Sequence, residues 1–124
     1  MTILHFCSRS AWATAQADGE YAADTLASEG FIHCSTADQV HLPANALARG
    51  RTDLVLLEID PDRLAEPPRY EPGDPADLAS PLFPHVYGPI PVDAVVAVHD
   101  FPPDLDGLFT VPATVSGGDR SRLG

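Results

Sequence analysis

Residues 53–60 read Asp-Leu-Val-Leu-Leu-Glu-Ile-Asp, DLVLLEID, and the fold class turns on them. The central four residues are almost wholly apolar. Such a run, stopped by Pro61, suits a strand buried on both faces. Val92 to Asp100 (VDAVVAVHD) reads as a second strand, rich in valine. Towards the N-terminus, Ile3 to Phe6 makes a short first strand carrying His5, and Phe31 to Ser35 makes another. The segments between them are short and helical. Ser10 caps a helix over Ala11 to Gln16 with Trp12 as its anchor, and Asp18-Gly19 marks a turn. Asp24 caps a second helix, which Gly30 ends as a left-handed residue. Thr36 and Gln39 stand in capping-box register, which predicts a helix from there, and Pro43 divides it into two pieces closed by Gly50. Helices gathered in the first half and strands in the second predict an α+β domain with a mainly antiparallel sheet, not a doubly wound fold.

Residues 61–84 hold many of the prolines, with Arg69-Tyr70-Glu71 as an island of strand character. That spacing predicts a long excursion or lid in place of regular structure. Pro84 to Pro91 (PHVYGPIP) is a stiffened, punctuated motif, and a last short strand is expected near Leu108 to Val111. Residues 1–112 are expected to form a single domain. Residues 113–124, polar and glycine-bearing from Ser116, are expected to form a flexible tail.

With 124 residues, the chain can bury roughly two thirds of its unfolded surface. Its formal net charge of −11 repels polyanions, which excludes electrostatically driven binding to bulk nucleic acid or an anionic membrane. No apolar stretch approaches the roughly 20 residues that cross a bilayer, and the first residues do not read as a secretory signal. Cytoplasmic residence is the default expectation. Cys7 and Cys34 lack a C-x-x-C spacing and are read as reduced thiols packed as small hydrophobes.

The chemistry concentrates in residues 30–36, GFIHCST. Strand alternation sends Phe31, His33 and Ser35 to one face and Ile32 and Cys34 to the other. His33 and Cys34 therefore do not share a metal, and no metal site is expected. Cys34 reads as core and not as a nucleophile. His33 and Ser35 form a polar pair suited to one ligand, and His5 joins that face where the two strands are adjacent. The alternative is that backbone groups satisfy each histidine. In PHVYG, His85 and Tyr87 alternate onto one face, and Gly88 admits a backbone or ligand. Glu71 is placed to act as a general base or to bind a ribose hydroxyl, with solvated surface as the plainer reading.

His5, Trp12, Gly19, Tyr21, GFIHCST with Gln39-Val40, DLVLLEID, Arg69-Tyr70-Glu71 and FPHVYGPI together resemble the bacterial domain-of-unknown-function family 952, DUF952. The resemblance runs from Ile3 to about Phe101. Residues 71–82, EPGDPADLASPL, depart from it as a longer proline-rich insertion. The family's fold is similar to that of the ADP-ribosyltransferases, above all the RNA 2′-phosphotransferases, which implies a split sheet and NAD as substrate. By that resemblance, His5, His33, Ser35, His85 and Tyr87 would bind the cofactor, and His33 and Glu71 would be catalytic. Cleaving the nicotinamide–ribose bond develops positive charge on the ribose, which a nearby carboxylate favours. Few basic residues are available for an RNA 2′-phosphate, which argues against that acceptor. A small-molecule ligand is thus expected, and the readings are an ADP-ribosyl-transferring enzyme, a non-catalytic small-molecule or protein-binding module, or a thiol enzyme using Cys34.

Overall fold

The computed structural model describes residues 1–77 and 79–115. The elements run β1 (Ile3–Ser8), α1 (Arg9–Asp18), β2 (Glu20–Tyr21), α2 (Asp24–Glu29), β3 (Ile32–His33), α3 (His41–Leu47), β4 (Leu54–Ile59), β5 (Arg69–Pro72), β6 (Leu82–Val86), β7 (Ile90–Pro91) and β8 (Val95–Asp100). Single 3-10 turns, Pro61–Arg63 and Val92–Ala94, follow β4 and precede β8. The strands form three antiparallel sheets, ordered β1-β4-β8, β2-β7 and β3-β6-β5. The α+β class with antiparallel sheets and short helices is the one expected.

β4 lies at the centre, and all six of its residues are buried. Val55, Leu57 and Ile59 pack with Ile3, Cys7, Ile32, Cys34, Val86 and Ile90 beneath α1. Leu54 and Leu56 pack on the opposite face with Leu4, Val40, Ala44, Phe101, Phe109 and Val115. Alternation of an apolar run thus feeds two cores from one strand. Glu58 is fully buried and bonded to Thr2 Oγ1 at 2.9 Å and His99 Nε2 at 2.8 Å.

Several boundaries differ from the sequence reading. Ser8, two residues before the expected Ser10, caps α1: its hydroxyl accepts from the Ala11 N–H at 3.1 Å. Gly30 ends α2 at φ +90°, as expected. No helix begins at Thr36, whose hydroxyl donates to Asp38 and Gln39 instead of accepting from a backbone amide. Residues 37–40 form turns, and α3 starts at His41. Pro43 lies in its first turn, where a missing N–H costs nothing, so it does not split the helix. The expected excursion over 61–84 instead contains β5 and most of β6, paired antiparallel with Tyr70 opposite Pro84 and Glu71 opposite Phe83. No strand forms at 108–111, where Phe109 is held by packing and by its N–H donating to Asn45 Oδ1 at 2.6 Å. Packing continues past 112, since Val115 is fully buried and Thr114 bonds His99 at 2.8 Å. The rest of the expected tail, 116–124, lies outside the described residues.

Candidate functional site

β1 and β3 are joined just beyond β3 by paired backbone bonds, Leu4 N–H to Ser35 O and Ser35 N–H to Leu4 O, each 2.7 Å. This junction between two sheets brings His5 beside His33 and Ser35, and the three line one cleft of about 980 Å³. A volume of that size lies at the large end of small-molecule sites. Cys7 and Cys34 belong to the floor, and Tyr21 and Thr25 complete the wall on one side. Ile32 and Cys34 point into the core while His33 is exposed.

His5 is held at both ring nitrogens. Its Nδ1–H donates to the His33 carbonyl at 2.6 Å, and Nε2 accepts from the Tyr21 hydroxyl at 2.8 Å. Hydrogen bonds from the Tyr21 phenol to the imidazole and from the imidazole to the His33 carbonyl fix one neutral tautomer. Burial lowers the His5 pKa to about 4, outweighing the His33 carbonyl, which raises it. Burial likewise pushes the Cys7 thiol up to about 11 and Cys34 higher still, which opposes a thiolate nucleophile at Cys34. Tyr21 was not marked as a contact of His5 by the sequence. It lies 16 residues away, and only the β2–β7 pairing sets its ring 5.1 Å from that of His5.

Charge is unevenly spread around the cleft. Asp18, Glu20 and Asp24 line it near the C-terminal end of α1, and Arg51 lines it near the end of β1. Arg51 also holds Asp53 through two bonds of 3.0 and 2.7 Å.

Glu71, His85 and Tyr87 stand together in a neighbouring cluster and are not among the residues lining the cleft. Glu71 Oε1 accepts from His85 Nδ1–H at 2.9 Å and from the Tyr87 hydroxyl at 2.6 Å. These two donors, Tyr87 foremost, hold the Glu71 carboxyl below its usual range, and the same carboxylate raises the Tyr87 pKa. Phe31 stacks on His85 with ring centres 4.2 Å apart, and His33 meets His85 edge-on at 5.1 Å. His33 therefore links the cleft to this cluster, while its Nε2 bonds Glu29 at 3.1 Å.

An uncharged, hydrogen-bonded floor within a sheet junction defines a small α+β domain with a ligand-sized cleft. The chain belongs to the family described as "Protein of unknown function (DUF952)", whose pattern it matches over residues 6–98. It is similar to protein CC0527 from Caulobacter crescentus, known from a crystal structure at 32% identity that covers 89% of this chain and 94% of that one, with a TM-score of 0.77. A double-mutant crystal structure of the same protein gives 31% identity, the same coverages and a TM-score of 0.76. Its solution structure gives 30% identity over 99% of this chain and 98% of that one, with a TM-score of 0.75. No curated protein matches the chain.

Proposed function

We propose that this chain binds a small molecule of ADP-ribosyl type, NAD or ADP-ribose, in the His5–His33–Ser35 cleft. The observation that carries the reading is that cleft of about 980 Å³, large enough for a dinucleotide, lined by His5, His33 and Ser35, three of the six residues that the resemblance to ADP-ribosyltransferases implies. The residues present fit such a ligand. Thr25 lines the cleft, and its buried hydroxyl has no partner among the described residues, so a ligand hydroxyl would satisfy it. The acidic residues Asp18, Glu20 and Asp24 in the lining suit a cationic nicotinamide.

His5 contributes as a rigid wall, since both its nitrogens are occupied. Hydrogen bonds to the ligand fall to Ser35, Thr25 and the exposed His33 ring. Recognition without turnover is the form of the reading we favour. Glu71, the carboxylate that the resemblance makes catalytic, is engaged by His85 and Tyr87 outside the cleft lining, and the carboxylates that do line the cleft are Asp18, Glu20 and Asp24. The expected result is a ligand-dependent rise in melting temperature with NAD and ADP-ribose, lost in Ser35→Ala, with no release of nicotinamide. Nicotinamide release by the parent chain, lost in Glu71→Gln, would replace this reading with ADP-ribosyl transfer.

A further inference from the structure

One face of the β3–β6–β5 sheet carries a row of side chains that starts at His33 in the cleft lining and runs on beyond it. Antiparallel register sets His33 opposite His85 and His85 opposite Arg69, so the three project side by side across three strands. The Arg69 guanidinium carbon lies 4.3 Å from the centre of the Tyr87 ring. Among the described residues no carboxylate is within ion-pair distance of Arg69, whereas Arg9, Arg51 and Arg63 each hold an aspartate. A guanidinium stacked on an aromatic ring keeps its N–H edge free for an oxyanion. Beside it, His85 is 3% exposed, and in the neutral ring that gives Nδ1–H to Glu71 the lone pair falls on Nε2. That nitrogen is buried and has no partner. Buried polar atoms are rarely left so, and an unmade bond here marks a place for a ligand donor. The Phe31 and His33 rings pack against His85, and both residues reach the surface, so they can move aside.

We propose that this row is a second binding site, for a small hydroxylated phosphate such as a sugar phosphate. Arg69 takes the phosphate, His85 Nε2 accepts a hydrogen bond from a ligand hydroxyl, and Phe31 rotates away to admit it. The two carboxylates in the cluster do not bar an anion: Glu71 is shared by His85 and Tyr87, and Glu29 by His33. The proposal does not depend on the cleft binding an ADP-ribosyl group.

The test is a nuclear magnetic resonance titration of the nitrogen-15-labelled chain with ribose 5-phosphate, ribose and inorganic phosphate. Ribose 5-phosphate is expected to shift both the His85 Nε2 and the Arg69 Nε signals saturably, while ribose alone shifts neither. Arg69 is exposed, so Arg69→Gln leaves the fold intact, and it is expected to weaken binding about tenfold or more. Absence of a saturable shift at millimolar ribose 5-phosphate overturns the proposal. So does unchanged affinity in Arg69→Gln together with loss in Ser35→Ala, which would move the ligand to the cleft. Inorganic phosphate binding as tightly as the sugar phosphate, with His85 unmoved, overturns the hydroxyl contact.

Discussion

The Tyr21 hydroxyl donates to His5 Nε2, and His5 Nδ1–H reaches the His33 carbonyl, so three residues are tied together at the junction of β1 and β3. Tyr21→Phe should cost about 1–2 kcal/mol, read as a lowered midpoint of urea unfolding with an unchanged slope. His5 carries a sharper prediction. Its folded pKa is about 4 against an ordinary 6.5, so the neutral ring is the native form. Above pH 6.5 the ring is neutral in folded and unfolded chains alike, and its full contribution is present. As pH falls towards 4 the unfolded chain takes up the proton first, and up to ~3 kcal/mol is lost at about 1.4 kcal/mol per pKa unit. A resonance titration of His5 should therefore show a midpoint near 4. A midpoint near 6.5 would mean that the ring is not held as described.

At the scale of elements, β4 feeds both cores, as its neighbour β1 also does, and its one charged residue is the most exacting. Glu58→Ala strands a buried His99 nitrogen and the Thr2 hydroxyl, and should cost roughly 2–5 kcal/mol by calorimetric melting. An effect below about 0.5 kcal/mol would show that Glu58 does not tie β4 to His99 and Thr2. The strand itself was legible in DLVLLEID because an unbroken apolar run needs two buried faces. The role of Glu58 was not, because His99 lies 41 residues away and only β4–β8 pairing joins them. The faces of β3 were legible from alternation alone: Ile32 and Cys34 are core, and His33 is exposed. β6 was hidden by Pro84. That residue lies opposite Cys34, just past the end of β3, where its carbonyl still accepts from Cys34 N–H at 3.0 Å and its missing N–H is tolerated. Thr36 misled because a side-chain hydroxyl can choose neighbouring side chains over the backbone amides a cap would serve.

For the whole molecule, three small sheets meet so that the β1–β3 junction opens a cleft on one side and leaves a histidine–arginine row beside it. Among the described residues no helix is long and apolar enough to cross a membrane, and the net charge of −11 disfavours polyanions at the level of the whole chain. A single, small anionic ligand is a different matter, because local donors outweigh a screened distant field. His5, His33 and Ser35 line one cleft together with Cys34, which alternation assigns to the other face, so the β1–β3 junction and not alternation alone accounts for the grouping. The separation of Glu71, His85 and Tyr87 from that lining did not follow from alternation either, since it depends on β5 pairing with β6 inside a segment expected to be a loop. The most direct test of the cleft's role is a calorimetric titration of the chain with ADP-ribose, run beside Ser35→Ala. Saturable heat at micromolar to millimolar ligand, lost in the variant, is the predicted result. No heat in the parent chain at millimolar ligand, or equal heat in both, would contradict it.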